Sequence, residues 1–163
     1  MEDRSERTIM RELTLDEKDN IDRRKRGFDS FLADRMSVLT DFMQRLELPN
    51  PALVLVEADR YLPALDQWLK DQVIEPSDRI WILTRLGYFV GEYLVQKFGG
   101  CWFLNEVVDS MYFGNYVVGR FAGISNINAM VDPFSVANTC VAEPPGRSLS
   151  MLLKIVEEEI TQA

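Results

Sequence analysis

The segment from Arg79 to Phe98 constrains the fold of this chain more than any other. Most of its side chains are apolar, and the polar ones form a single narrow stripe of Asp78, Arg85, Glu92 and Gln96. Pro76-Ser77-Asp78 precedes the segment and Gly99-Gly100 follows it, and both are typical helix boundary signals. A helix that is apolar on nearly every side has to be buried. We therefore predict a central helix over residues 79–98, around which the rest of the chain packs.

The same segment is long enough to raise the question of a membrane span. A span needs about 20 apolar residues, and Arg85, Glu92 and Lys97 interrupt this one with charges that are costly in lipid. The N-terminal residues Met1-Glu2-Asp3-Arg4 do not begin an apolar run of the signal-peptide type. We predict a soluble, cytoplasmic protein with no membrane partner.

The first third of the chain predicts one long helix over residues 14–47. Thr14 and Glu17 have the spacing of a capping box, and Pro49-Asn50-Pro51 marks the end of the helix. Residues 1–12 lack a clear apolar period and are predicted to form a frayed tail. The apolar residues of the helix recur at threes, fours and sevens: Ile21, Phe28, Leu32, Met36, Leu39, Met43 and Leu46.

A shorter helix is predicted between the two long ones. Residues 57–73 have an amphipathic pattern, and Pro63 is expected to break the first turn. Residues 52–56, Ala-Leu-Val-Leu-Val, have no decisive period and fit either a short strand or a helical turn.

The residues that follow Gly99-Gly100 are typical of strands. Charged residues are sparse, whereas aromatic and β-branched residues dominate. We predict strands over residues 101–107, 112–121 and 129–131, paired antiparallel because the connections are too short for a parallel crossover. A short helix from Pro133 and an amphipathic helix that begins after Ser148 complete the chain.

Together these elements predict an α+β fold, in which several helices pack on a small antiparallel sheet of about three strands. The 163 residues are expected to form a single domain, with the α+β core in residues 57–163. At this size about two thirds of the unfolded surface can be buried, so no metal or disulfide is needed for folding.

Charge restricts the class of partner. The net charge is −8, and nucleic-acid binding depends on Lys and Arg that replace counterions on phosphates. We predict no nucleic-acid partner, and the acidic balance would instead favour a basic protein. The basic run Arg23-Arg24-Lys25-Arg26 is interpreted as a solvated helix face, paired in part with Asp19 and Asp22.

The sequence contains no histidine, which removes the Ser-His, Cys-His and common metal-and-His designs of enzymes. Carboxylate chemistry remains, in which Glu92 would act together with Asp132 or Glu106. The structural alternative is that Glu92 pairs with Arg85 or is a hydrogen-bonded helix residue, and this alternative is preferred. We predict no catalytic residues, no metal and no cofactor, and we favour a non-enzymatic role.

Candidate binding residues lie on the central helix and the sheet: Glu92, Arg85, Tyr112, Tyr116 and Phe121. The segment 111–121 contains more large side chains than one face of a strand can bury: Met111, Tyr112, Phe113, Tyr116 and Phe121. Either some of them form an exposed binding patch, or helices cover the sheet on both faces.

Four smaller features have structural interpretations. Gly87 and Gly91 lie one turn apart on the central helix, where glycine is costly, and they favour close approach of another element such as the N-terminal helix or the sheet. The two cysteines, Cys101 and Cys140, are too few for a disulfide framework and are predicted to be reduced and mostly buried.

The motifs Leu86-Gly87, Gly91-Glu92-Tyr93-Leu94 and Gly99-Gly100-Cys101-Trp102 resemble a loosely defined group of small bacterial domains of unknown function. Asp132-Pro133-Phe134 is similar to the helix start of that group, and the resemblance covers about residues 79–155. Such domains often occur beside secreted-toxin systems, so the resemblance implies an immunity-like or adaptor role and no catalytic residue.

Three functions follow as hypotheses. The preferred one is a non-enzymatic protein-binding module, of immunity or adaptor type, that uses its acidic surface and an aromatic sheet face. The alternatives are a small carboxylate-dependent enzyme centred on Glu92, and a homodimer formed through the N-terminal helix.

Overall fold

A computed structural model describes residues 11–162 of the chain. Within this range five α-helices surround a three-stranded antiparallel sheet, which confirms the predicted α+β class. The elements are α1 (Leu15–Arg45), α2 (Leu62–Lys70), α3 (Arg79–Phe98), β1 (Cys101–Leu104), β2 (Tyr116–Gly119), β3 (Met130–Val131), α4 (Pro133–Ala142) and α5 (Leu149–Thr161). The predicted frayed tail, residues 1–12, lies outside the described residues except for its last two positions.

The helix α1 begins with the predicted capping box. The Glu17 amide donates to Thr14 Oγ1 at 3.2 Å, and the Thr14 amide donates to Glu17 Oε1 at 3.0 Å. The helix has 31 residues, and its apolar stripe buries Ile21, Leu39, Phe42 and Met43. The capping box supplies acceptors for backbone N–H groups that would otherwise be unpaired at the start of α1. The residues next to the start of the helix therefore determine where it begins.

The region between α1 and α3 is more broken than the predicted single helix. Residues 52–56 lie mostly in a 3-10 turn over Pro51–Leu55, which resolves the ambiguity in favour of a helical turn. A second 3-10 turn, Ala58–Tyr61, precedes α2. Pro63 lies at the start of α2, where proline is tolerated, so it does not break a turn of that helix, and α2 is shorter than the predicted helix over residues 57–73.

The helix α3 has the predicted bounds, and ten of its residues are buried. Gly99 adopts φ +67°, and the amides of Gly99 and Gly100 both donate to the Val95 carbonyl, at 2.9 and 3.2 Å. Pro76-Ser77-Asp78 marks the start of the helix as predicted, but Asp78 at the N-cap position makes no capping hydrogen bond with its side chain. Among the described helices, none combines the length and apolarity required to cross a bilayer.

Part of the polar stripe of α3 is covered by other elements, at Glu92 and Gln96. The Ala58 amide donates to Gln96 Oε1 at 2.7 Å, and Gln96 Nε2 donates to the Val54 carbonyl at 3.0 Å, so the 3-10 turns cover this end of the stripe. The helix α1 covers the middle, where Arg35 lies beside Glu92. The central helix is therefore enclosed along its middle, where Glu92 lies, whereas Ile80 near its start and Lys97 near its end are exposed.

Gly87 and Gly91 are contact points, as predicted. A Cβ atom built on Gly87 would collide with the Phe134 ring of α4, and one built on Gly91 would collide with the Trp102 ring of β1. The two glycines thus allow α4 and the sheet to approach the α3 backbone directly.

The sheet has the order β1-β2-β3, with both pairs antiparallel as predicted. Trp102 pairs with Val118, which also pairs with Val131. All four residues of the middle strand β2 are buried. Of the two predicted alternatives, the sheet that is covered on both faces is therefore the one observed.

Two ionic side chains, the half-buried Asp66 and the buried Arg147, join α2 to the start of α5. Asp66 Oδ1 accepts from the Leu149 amide at 2.7 Å, and Asp66 Oδ2 accepts from Ser150 Oγ at 2.9 Å, so Asp66 caps the start of α5. Arg147, only 4% exposed, binds backbone carbonyls at the ends of α2 and α4. These carbonyls belong to Leu69, Gln72 and Glu143.

Candidate functional site

Glu92 is buried at the contact between α1, α3 and β1. Its side chain is 6% exposed, Arg35 Nε lies 2.8 Å from Glu92 Oε1, and the Trp102 indole donates to the same oxygen at 3.3 Å. Arg35 Nε has no aligned hydrogen bond, so its contact with Glu92 is an ion pair and not a hydrogen bond. The preferred structural interpretation of Glu92 is confirmed, but its partner is Arg35 and not Arg85.

Arg85 lies against Trp81, one turn away on the same helix. Its guanidinium carbon is 3.9 Å from the centre of the Trp81 ring, and Arg85 Nη1 donates to the Trp81 carbonyl at 3.1 Å. Burial lowers the pKa of Arg85 from its usual value. This arrangement stabilises the surface of α3 and brings Arg85 to no other predicted site residue.

The acids that would act with Glu92 lie elsewhere. The small cleft beside Glu92 is lined by no second carboxylate within the described residues. Asp132 accepts from two amides at the start of α4, and Glu106 forms an ion pair with Lys25 at 3.0 Å. Acid–base catalysis of the glycosidase type needs two carboxyl groups that flank one bond. The observed geometry therefore gives the enzyme hypothesis no carboxylate pair.

The three candidate aromatic residues do not share one surface. Tyr116 and Phe121 are 9% and 4% exposed and belong to the core. The Tyr116 hydroxyl donates to the Arg24 carbonyl of α1 at 2.6 Å. Tyr112 is half-buried in the loop between β1 and β2. Tyr116 and Phe121 therefore form no exposed aromatic sheet face, since α1 covers Tyr116 and Phe121 packs against Phe98 of α3.

Both cysteines are unpaired thiols. Cys140 is buried as predicted, and burial raises its pKa to about 11. Cys101 is exposed, which corrects the prediction of a buried thiol. It is the first residue of an edge strand directly after the helix stop, so its side chain alternates away from the buried Trp102. Within residues 11–162, no group of three potential metal ligands lies together.

Exposed apolar side chains occur at the tips of two loops. Met111 is 84% exposed, Ile127 is 83% exposed and Val107 is 52% exposed. Met111 precedes Tyr112, and Ile127 lies between Asn126 and Asn128. Tyr112, Asn126 and Asn128 line one cleft of about 300 Å³. We call Val107, Met111, Tyr112 and Ile127, together with this cleft, the loop surface.

The loop between β1 and β2 is held by Asn105, which is fully buried. The Gly114 amide donates to the Asn105 carbonyl at 2.8 Å, which closes the loop at its base. The Asn105 side chain donates to Ser110 Oγ at 3.1 Å and accepts from the Val107 amide at 3.1 Å. These bonds fix the backbone on both sides of Met111.

The loop surface combines apolar and acidic groups. Its cleft is lined by Val156, Glu159 and Ile160 of α5 as well as by the loops. Glu159 is exposed there, and the preceding residue Glu158 is exposed too. The sequence pattern indicated Met111 and Tyr112 as part of a possible exposed patch but missed Val107 and Ile127, because single apolar residues in loops carry no period.

The basic run of α1 is largely free of the predicted local pairs. In the part of the chain that the structure describes, Arg23 donates to Asn20 at 2.9 Å rather than to Asp19, and Lys25 pairs with Glu106.

Comparisons with protein-family models, with curated proteins and with solved structures found no match. The resemblance to small bacterial domains therefore stays a prediction that depends on the quoted motifs alone.

Proposed function

We propose that this chain is a non-enzymatic protein-binding module and that the loop surface binds the partner. The observation that carries the proposal is the placement of Met111 and Ile127, which are 84% and 83% exposed, on two loops that line one cleft. Large apolar side chains that cluster on a surface mark interaction sites more often than isolated ones do.

The fixed backbone of the loop between β1 and β2 supports a binding role for its exposed side chains. A partner gains affinity when the surface it binds is already fixed, because less conformational entropy is lost on association. The bonds of Asn105 to Gly114, Ser110 and Val107 fix the loop backbone before any partner arrives. Met111 is thereby presented on a defined backbone.

The charge around the loop surface supports a basic partner. Glu159 lines the cleft, and Glu158 is the preceding residue on α5. The whole chain carries a net charge of −8. A partner that presents an apolar side chain next to Lys or Arg matches both features, and opposite charge raises the rate of association. An immunity or adaptor role is the special case that the resemblance implies, with a toxin or a second effector as the partner.

A cytoplasmic location belongs to the same proposal. The thiols of Cys101 and Cys140 are both free, and free exposed thiols persist in reducing compartments.

The experiment compares two doubly substituted proteins as baits in extracts of the native host. Met111→Asp with Ile127→Asp introduces two charges into the loop surface. Val73→Asp with Ile80→Asp introduces the same two charges at residues that are 71% and 70% exposed. Val73 lies near the start of α5, since the Gln72 carbonyl binds Arg147, whereas Glu159 lies near the end of that helix.

We expect the wild-type chain and the Val73/Ile80 variant to retain one stoichiometric basic protein in mild salt. The Met111/Ile127 variant should lose it while keeping its thermal unfolding midpoint, because the substituted side chains are exposed. Retention of the same partner by both variants would refute the proposal that the loop surface binds the partner. A partner-free wild-type chain that sediments as a dimer would favour the homodimer instead.

A further inference from the structure

We propose that a second cleft, which shares Asp132 with the cleft of the loop surface, binds a small planar aromatic ligand that carries an anionic group. The cleft has a volume of about 340 Å³, within the range typical of small-molecule sites, about 300 to 1,000 Å³. It lies where α1, α3, β2 and the start of α4 meet. Its lining residues are Arg24, Phe31, Thr84, Tyr88, Asn115, Tyr116, Asp132 and Phe134.

Four aromatic rings form the apolar wall of this cleft. The Phe31 ring lies 4.9 Å from Tyr88, 4.3 Å from Tyr116 and 5.9 Å from Phe134, measured between ring centres. Tyr88 and Tyr116 are buried, but Phe31 and Phe134 remain half-exposed. Ring surface is thus open at the centre of a packed cluster, and a planar ring would cover it by stacking or by edge contact.

The wall is preorganised by hydrogen bonds on both tyrosines. The Tyr88 hydroxyl donates to the Phe31 carbonyl at 3.0 Å, and the Tyr116 hydroxyl donates to the Arg24 carbonyl at 2.6 Å. Burial raises the pKa of Tyr88 to about 12, so this donor stays protonated at neutral pH. Both tyrosines tie the sheet and α3 to the α1 backbone that carries Arg24.

Arg24 supplies a free positive charge beside the rings. Its guanidinium carbon is 5.2 Å from the centre of the Tyr116 ring, and its side chain has no hydrogen bond or ion pair within residues 11–162. Among the described residues that line the cleft, Arg24 is the cationic one. Arg23 and Arg26 are exposed on the same helix, but so are Asp22 and Asp29. The guanidinium of Arg24 is therefore the group that favours an anionic group on the ligand.

Asp132 supplies a negatively charged hydrogen-bond acceptor to the same cleft. It is 6% exposed. Its Oδ1 accepts from the Phe134 and Ser135 amides at 3.0 and 3.2 Å, and its Oδ2 accepts from Asn115 Nδ2 at 2.8 Å. A carboxylate offers about four acceptor positions, so one position remains for a donor on the ligand.

These groups together define the ligand. Its ring contacts Phe31 and Phe134, its anionic group binds Arg24, and an N–H on or near the ring donates to Asp132. Indole-3-acetate has all three features and serves as the probe. Indole-3-acetamide has the same shape without the negative charge.

The test is a titration of the 15N-labelled chain with each probe, followed by amide chemical shifts. We expect saturable shifts at Asn115, Asp132 and neighbouring amides with indole-3-acetate. Indole-3-acetamide should bind at least about 10-fold more weakly, because it lacks the negative charge that strengthens the hydrogen bond to Arg24.

Two variants locate the charge that binds the probe. Arg24→Gln should weaken indole-3-acetate about 10-fold, whereas Arg23→Gln, which removes the same charge from a neighbouring residue outside the cleft, should change the affinity less than about 2-fold. Met111→Asp with Ile127→Asp should leave probe binding unchanged, which separates this site from the proposed protein-binding surface. Equal affinity for both probes, equal effects of the two arginine variants, or no saturation at millimolar concentration would overturn the proposal.

Discussion

Gly91→Ala tests whether the contact between α3 and β1 organises the core. In an exposed helix this substitution stabilises by about 1 kcal/mol, because alanine has the higher helix propensity. Here a Cβ atom would lie 2.7 Å from Trp102 Cε2 and closer still to two further ring atoms. Carbon atoms prefer a separation of about 3.5 to 4.0 Å, so the ring has to retreat by more than about 1 Å.

The Trp102 ring has little room to retreat. It is 7% exposed, it lies 5.1 Å from Phe31 and 6.0 Å from Phe134 between ring centres, and its indole N–H binds Glu92. Overpacking costs about 1 to 3 kcal/mol, and a hydrogen bond to a charged group contributes about 1.5 to 3 kcal/mol. After the gain in helix propensity, we expect Gly91→Ala to lower the free energy of unfolding by about 2 to 4 kcal/mol.

The assay is urea denaturation followed by far-UV circular dichroism, in two backgrounds. In the Trp102→Leu background the colliding ring is absent, so adding Gly91→Ala should be neutral or should stabilise by about 1 kcal/mol. The difference between backgrounds is the coupling energy of the pair. An equal cost of Gly91→Ala in both backgrounds would refute the argument that Gly91 is required by the Trp102 ring.

Two further predictions concern buried polar groups. Arg147→Met leaves helix-end carbonyls without donors and should lower the free energy of unfolding by about 2 to 4 kcal/mol. The control Arg60→Met, at a 60% exposed side chain, should change this free energy by less than about 0.5 kcal/mol. Equal effects of the two variants in urea denaturation would contradict the capping role of Arg147. Burial raises the pKa of Tyr88 from 10.0 to about 12, so the unfolded chain loses this proton first and stability falls as pH rises from about 10 to 12. A tenfold change in acidity corresponds to about 1.4 kcal/mol, so the loss is at most about 3 kcal/mol. Tyr88→Phe should flatten that part of the stability profile, and an unchanged slope would contradict the assignment.

The parts of the fold that the sequence predicted are those whose signals are local. The capping box of Thr14 lies within one turn of the helix that it starts, and the stop at Gly99 depends on a backbone conformation that glycine adopts readily. The side chain of Ser148 likewise accepts from the Met151 amide at 3.2 Å. In each case donor, acceptor and boundary lie within a few residues, so no tertiary information is needed.

Contacts between distant segments were not predictable in the same way. Glu92 had Arg85 as a plausible partner two turns away on its own helix, but Arg35 of α1 binds it, because the polar stripe of α3 faces α1. The exposure of Cys101 depends on β1 lying at the edge of the sheet. Strand order and helix orientation decide both outcomes, and neither can be predicted from a short stretch of sequence.

The aromatic residues show why the predicted binding face became part of the core while a cleft opened beside it. The segment 111–121 contains too many large side chains for one sheet face, as the sequence analysis stated. The Tyr116 hydroxyl reaches the α1 backbone at Arg24, and an added Cβ on Gly27 would lie 3.1 Å from that oxygen. The close approach at Gly27 lets α1 cover the sheet, but α1 also brings Arg24 to the edge of the rings. The same contact that buries Tyr116 therefore places a free positive charge beside half-exposed Phe31, which is the condition for an anionic aromatic ligand.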